Sequence, residues 1–208
     1  MRRTATTGNA ILGLLALRPS WSTWEITQQL RRNMRFFWPR AESRIYDEAR
    51  ALVDRGLATS TVTHTGRRPR TVYKITAAGR RHVRNWQATP PRPTSLECEP
   101  VLRILLGRLA SLESLHDAVG QVRADAQSVI AVGRVVANEY ATGTAPFQDD
   151  VAYRSLVFDF LSSHALALLD WADRADSALT QMAAQSVDEA ADAGRKRVAT
   201  AAAKLPLS

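Results

Sequence analysis

The sequence predicts a mainly α-helical chain with one small β-hairpin, divided into two domains. Three observations predict it. Apolar residues recur at helical spacing along most of the 208 residues. One pair of Thr- and Val-rich runs around a Gly/Pro turn has the signature of a hairpin instead. Pro90, Pro91 and Pro93 interrupt any helix or central strand, and the sign of the charge changes at the same place. The expected divisions are residues 1–87, a Pro-rich linker at 88–95, a helical domain at 96–175, and an Ala-rich tail at 176–208, helical or frayed.

The charge is the more informative part of the composition. Residues 1–92 carry 18 Lys+Arg against 5 Asp+Glu, a net of +13; residues 93–208 carry 10 against 15, a net of −5. A basic half joined to an acidic half is the footprint of a module that meets a polyanion. Nearly all the cations of the first half are Arg, whose planar fork suits phosphate and guanine edges. No apolar run reaches the roughly 18 residues of a membrane span. The stretch from Ala10 to Leu17 lacks a signal-peptide cleavage site. Cys98 is the only cysteine, which excludes an internal disulfide framework and a zinc ribbon, so a cytoplasmic location is expected.

Taken in order, Asn9 to Leu17 forms a first helix, stopped by Arg18-Pro19. Ser22 or Thr23 caps a second, running to about Arg32, with Glu25 placed for a capping box. A third extends from Arg40 to Arg55 and ends at Gly56. Leu57 to Thr65, the turn Gly66 to Arg70, and Thr71 to Ile75 make the hairpin. Thr76 caps a fourth helix reaching Trp86. Helix, helix, helix, hairpin, helix is the order of a winged helix-turn-helix.

Behind the linker, Glu99 to Ala110 is strongly apolar. Leu112, Leu115, Val119, Val122, Ala126, Val129, Gly133, Val136 and Tyr140 follow at alternating steps of three and four, the heptad seam of helices packed side by side. Thr142 to Pro146 breaks the pattern. A last long helix from about Phe147 to Ala175 has a broad apolar face including Phe160, Leu168 and Trp171. The seam positions Leu112, Leu115, Val119, Val122, Val129 and Val136, with Phe160, Leu168 and Trp171, are the expected dimerisation residues. A heptad seam within one chain would look the same.

At 100° per residue, Ile45, Ala49, Leu52 and Val53 gather on one side of the third helix, and Arg40, Ser43, Arg44, Asp47 and Arg50 on the other. An exposed face with Arg near the helix N-terminus suits a major groove, and Tyr46 between the faces can reach a phosphate. Arg67, Arg68 and Arg70 on the hairpin, with Lys74 behind them, would meet phosphates or a narrow minor groove.

From Asn9 to Arg84 the chain resembles the PadR family of winged-helix transcriptional regulators. The residues that carry the likeness are Ala10 to Pro19, Trp24-Glu-Ile26, Ser43-Arg-Ile-Tyr46, Leu52 to Leu57, and the wing from Gly66 to Gly79. The resemblance implies a homodimer, usually a repressor on a pseudo-palindromic operator, often released by a small molecule. Two departures are visible. Ser22-Thr-Trp24 stands where the family has His-Gly-Tyr, and Ala41-Glu42 precedes the recognition motif, placing a negative charge near the groove. Beyond the linker, Val101 to Leu106 and the long helices resemble the family's dimerisation domain more loosely.

Nothing in the sequence points to an enzyme, a metal or a cofactor. His64, His82, His116 and His164 are scattered, and none pairs with Cys98 or a carboxylate at ligand or triad spacing. His164 is expected in the core or an interface. Trp21, Trp24 and Trp38 belong to an aromatic cluster that supplies the small domain's core or, on a second reading, a pocket for a small aromatic effector. The expected partners are double-stranded DNA and a second copy of the chain. The rival reading is a winged-helix protein-interaction module whose Arg-rich face is merely solvated.

Overall fold

In the computed structural model, residues 6–39, 42–65 and 68–206 are described. They form two compact units, residues 1–94 and 95–208.

The first unit contains α1 (Thr6–Leu17), β1 (Trp21–Ser22), α2 (Thr23–Met34), α3 (Glu42–Asp54), β2 (Ala58–Thr65), β3 (Arg68–Ile75) and α4 (Ala77–Gln87). Its core is built from Ile11, Leu12, Leu14 and Leu15 of α1, Ile26 and Leu30 of α2, Ile45, Ala49 and Leu52 of α3, and Trp21 and Tyr73 of the sheet. The α3 residues are spaced i, i+4, i+7, one stripe of a helix. Ser22 caps α2: its hydroxyl accepts from the Glu25 amide while the Glu25 carboxylate accepts from the Ser22 amide at 2.8 Å. Gly56 ends α3 at φ 68°, a left-handed conformation that a side chain would disfavour.

The sheet has three strands in the order β1-β3-β2, all antiparallel. β1 is a two-residue piece, Trp21–Ser22, pairing with Tyr73 and Val72 of β3. Two residues are too few to show a period-2 pattern, so the sequence carries no strand signal there. β2 and β3 pair from Ala58↔Ile75 to Thr65↔Arg68, so Arg70 lies within β3, opposite Thr63, and not in the turn. Thr76 caps α4, and α4 begins in close contact with the hairpin root: a Cβ on Gly79 would stand 2.1 Å from the Leu57 carbonyl oxygen.

The second unit contains α5 (Glu99–Leu105), a 3-10 turn (Gly107–Leu109), α6 (Leu112–Ala141), a second 3-10 turn (Gln148–Asp150), α7 (Val151–Met182) and α8 (Val187–Ala202). α7 runs past Ala175 to Met182 and the tail forms α8, so the expected division at 175/176 falls inside a helix. α6 and α7 pair antiparallel. Leu115 and Val119 pack with Ala172 and Leu179, ringed by Ile104, Trp171 and Ala175. His116 Nδ1 lies 2.6 Å from Asp176, and Arg123 pairs with Asp173.

Four of the nine seam positions face inward. Leu115, Val119, Val122 and Ala126 are buried inside the chain, in the unit's own core. Leu112 is exposed, and Val129, Val136, Leu168 and Trp171 are half-buried. Seam spacing cannot tell a partner helix of the same chain from one of another chain. Left in the open on α7 is a stripe that includes Phe160 (59% exposed), one of the expected dimerisation residues, with Tyr153 (76%), Leu156 (69%) and Val157, at i, i+3, i+4 and i+7 from Tyr153. His164, expected in a core or interface, is exposed, its ring stacked 6.3 Å from Phe160. Leu102, Leu105, Leu106 and Leu109 are exposed likewise. No described helix is long and apolar enough to cross a membrane.

Candidate nucleic-acid interface

α3 turns its apolar stripe inward and thereby holds Ser43, Arg44, Asp47 and Arg50 outward, all exposed, with Tyr46 at their edge. Arg44 lies 3.9 Å from Glu48 one turn along, a loose pairing that leaves the guanidinium available. Glu42 is not a bare charge at the start of this helix. Arg31 of α2 donates to it at 2.6 Å, cancelling the negative charge beside the groove-facing side. Arg40 and Arg67 lie outside the described residues, and Arg68 is placed by its backbone in β3. Lys74 is exposed, opposite Thr59 near the hairpin root and away from its turn.

Arg70 is not a free wing cation. It reaches across to α2, donating to Glu25 at 2.5 Å and to the Ser22 hydroxyl at 3.0 Å. On the other oxygen of the same carboxylate sits Arg18, at 2.9 Å, its guanidinium also 3.4 Å above the buried Trp21 ring. Glu25 thus caps α2 and ties it to both the α1–β1 connection and the wing. Burial by itself would raise the Glu25 pKa. The hydrogen bonds from Ser22, the bond from Arg70 and the charge of Arg18 outweigh it and hold the group at about 2. The capping motif made Glu25 visible in the sequence as a helix cap. Its partner Arg70, 45 positions away, carries no such signal.

A hollow of about 560 Å³ opens between the start of α2, Tyr46 of α3 and Pro69 to Thr71 of β3. Trp24 forms part of its wall and is 67% exposed, against the expectation that it serves a core. The three tryptophans do not converge on one pocket. Trp21 is buried, Trp24 lines this hollow, and Trp38 lines a smaller one of about 190 Å³ with Leu30, Met34 and Ile45. Among the described residues, no three His, Cys, Asp or Glu side chains gather as a metal ion would require.

Residues 11–85 match the model of the Transcriptional regulator PadR-like family. No curated protein matches the chain in sequence. Among solved structures, it is similar to Bacillus subtilis PadR in complex with operator DNA (21% identity, TM-score 0.65, covering 84% of this chain and 99% of that one). The same relative has been solved with p-coumaric acid (20%, 0.61, 85% and 99%). The PadR-like regulator BC1756 from Bacillus cereus (18%, 0.70, 85% and 99%) and the Vibrio cholerae virulence activator AphA (20%, 0.63, 85% and 99%) are similar as well. At these identities the structures establish a shared winged-helix fold.

Proposed function

We propose that this chain, whose first unit is a PadR-like transcriptional-regulator domain by the match of residues 11–85, binds a specific operator as a homodimer. The observation that carries the proposal is the outward face of α3, with Ser43, Arg44, Asp47 and Arg50 exposed beside a hairpin bearing Arg68, Arg70 and Lys74, in a half of net charge +13. Arg40, Arg44 and Arg50 read base edges or phosphates in the major groove, Tyr46 donates to a phosphate, and Ser43 and Asp47 adjust the choice of base. The wing, through Arg68 and its sequence neighbour Arg67, tracks the adjacent backbone.

A twofold dimer would present two such faces to half-sites one helical turn or a multiple of it apart, giving a pseudo-palindromic operator. The α7 stripe of Tyr153, Leu156, Val157 and Phe160 supports dimerisation, because it is a continuous apolar face that the chain does not cover. Repression, and release by a small aromatic effector, complete the proposal. Its support for an effector is the p-coumaric acid complex of the Bacillus subtilis relative. Because AphA is an activator, the sign of regulation needs its own reporter assay.

The test is a gel shift of the full chain on its own upstream DNA across a salt series. A shift that survives excess random duplex and weakens linearly in log salt is expected. A folded protein that shifts nothing at low salt would refute DNA binding and favour a protein-interaction module.

A further inference from the structure

α8 is a helix with a firm start and an unpartnered face. Ser186 and Glu189 form a capping box at its N-terminus, yet none of its residues is buried. Val187 is 86% exposed and Val198 71%. With Ala191 and Gly194 they recur at steps of four, three and four, and at 100° per residue they fall within an arc of about 60° that no charged residue of α8 enters. The charges stand beside this stripe in two blocks. Asp188, Glu189 and Asp192 occupy the first half of the helix, and Arg195, Lys196 and Arg197 the second. The helix dipole favours acids at the start, but it does not account for the basic block, which lies outside the last turn.

Such a helix is complementary to itself when turned around. We infer that α8 is a self-association surface, pairing antiparallel with the α8 of a second copy. In an antiparallel heptad pair, setting Val187 against Val198 of the second copy also sets Ala191 against Gly194, and brings Asp188 opposite Arg195 at both ends. Sliding the pair by one heptad sets Arg195 against Arg195 in one direction and Asp188 against Asp188 in the other. A parallel pair brings Asp188 and Arg195 together nowhere. Charge therefore selects one orientation and one register. Arg195 pairs within its own helix with Asp192, an exposed contact of the kind that contributes little, so its guanidinium remains available. Gly194 lets the two backbones approach, with nothing within 4 Å of a Cβ built on it. α7 ends at Met182, about 38 Å along that helix from Val157 at 1.5 Å per residue, so the contact is separate from the apolar stripe proposed for the dimer. A chain with two separate self-complementary faces can link one dimer to another.

Four layers of small side chains make a weak contact between chains, so the readout is covalent. Full chains carrying Cys98→Ser and either Val187→Cys or Val198→Cys are prepared separately, mixed, allowed to exchange and oxidised. Both valines are largely solvated, so the variants should keep their fold. A disulfide between chains is expected from the mixture and from neither variant alone, because Val187 faces Val198 of the second copy. Added to both chains, Asp188→Arg should lower the yield about tenfold by setting Arg against Arg195. Arg195→Asp should do the same, and the two reversals together should restore the cross-link. A role confined to helix stability would not be rescued in this way, since the double change leaves a base at the helix start. Leu156→Asp should leave the cross-link in place, so failure of the α7 dimer would not carry this contact with it. No cross-link from the mixture, a cross-link from either variant alone, no recovery in the double reversal, or loss of the cross-link with Leu156→Asp would each overturn the inference.

Discussion

One methyl group on Gly79 tests the join between the wing and α4. A Cβ there would lie 2.1 Å from the Leu57 carbonyl oxygen and 2.9 Å from Ile75 Cγ1. The Leu57 oxygen is not free to retreat, because it accepts from the Thr76 amide and the Thr76 hydroxyl, both at 3.1 Å. To restore van der Waals contact, α4 or the hairpin root must move by about an ångström. Overpacking of this kind costs about 1–3 kcal/mol, or more where the neighbour is backbone. Replacing a helical glycine returns up to about 1 kcal/mol. For a unit of this size, a net loss of about 1–2 kcal/mol lowers the melting temperature by roughly 4–16 °C. The assay is thermal unfolding followed by tryptophan fluorescence, since Trp21, Trp24, Trp38 and Trp86 all lie in residues 1–94 and only Trp171 lies beyond. Gly120→Ala is the control: Gly120 is exposed on α6 with nothing within 4 Å of a new Cβ, so the same methyl should stabilise the second unit. A fluorescence midpoint for Gly79→Ala at or above that of wild type would refute the packing of α4 against Leu57.

Three further outcomes are expected. Arg44→Ala should relax base preference at one operator position by about 1–3 kcal/mol while leaving the oligomer unchanged; competition with single-base variants of the footprinted site measures it, and an unaltered preference would remove Arg44 from the readout. Glu25 is held at about 2 in the fold against an ordinary 4.5, so its contribution is complete above pH 4.5 and is lost as the pH falls from there through about 2. The difference in stability between wild type and Glu25→Gln should therefore be widest at neutral pH and close across that window, and a constant gap down to pH 2 would contradict the Arg18–Glu25–Arg70 node. Leu156→Asp, on the exposed α7 stripe, should shift sedimentation toward the monomer, whereas an undisturbed dimer would place the interface elsewhere.

Local chemistry made most of the first unit readable. Ser22 and Glu25 announced the start of α2, Thr76 that of α4, and the Thr/Val runs the hairpin, because caps and strand alternation are written in neighbouring residues. What stayed hidden depends on residues far apart. The strand Trp21–Ser22 exists only by pairing with Val72 and Tyr73. Arg70 has the composition of a wing cation, and only the fold turns it back onto Glu25. The exposure of Trp24 runs against the usual burial of tryptophan, and no spacing marks it. In the second unit the heptad pattern identified helices that pack side by side, and only the fold shows that Leu115 and Val119 meet α7 of their own chain.

The open apolar face of Tyr153, Leu156, Val157 and Phe160 bears on DNA binding. One winged unit, reading a single half-site mainly through Arg contacts, has little margin over the salt-sensitive binding it would show to any duplex. Two units linked through a dimer bind the second half-site as an intramolecular event, at an effective concentration set by the link and not by the protein in solution. Affinity for the operator should then depend on residues that touch no DNA. Leu156→Asp should reduce operator affinity toward that for random duplex, although every residue of α3 and the wing is intact. If Leu156→Asp becomes monomeric yet keeps full operator affinity, one unit suffices for recognition and the pseudo-palindromic operator has to be abandoned.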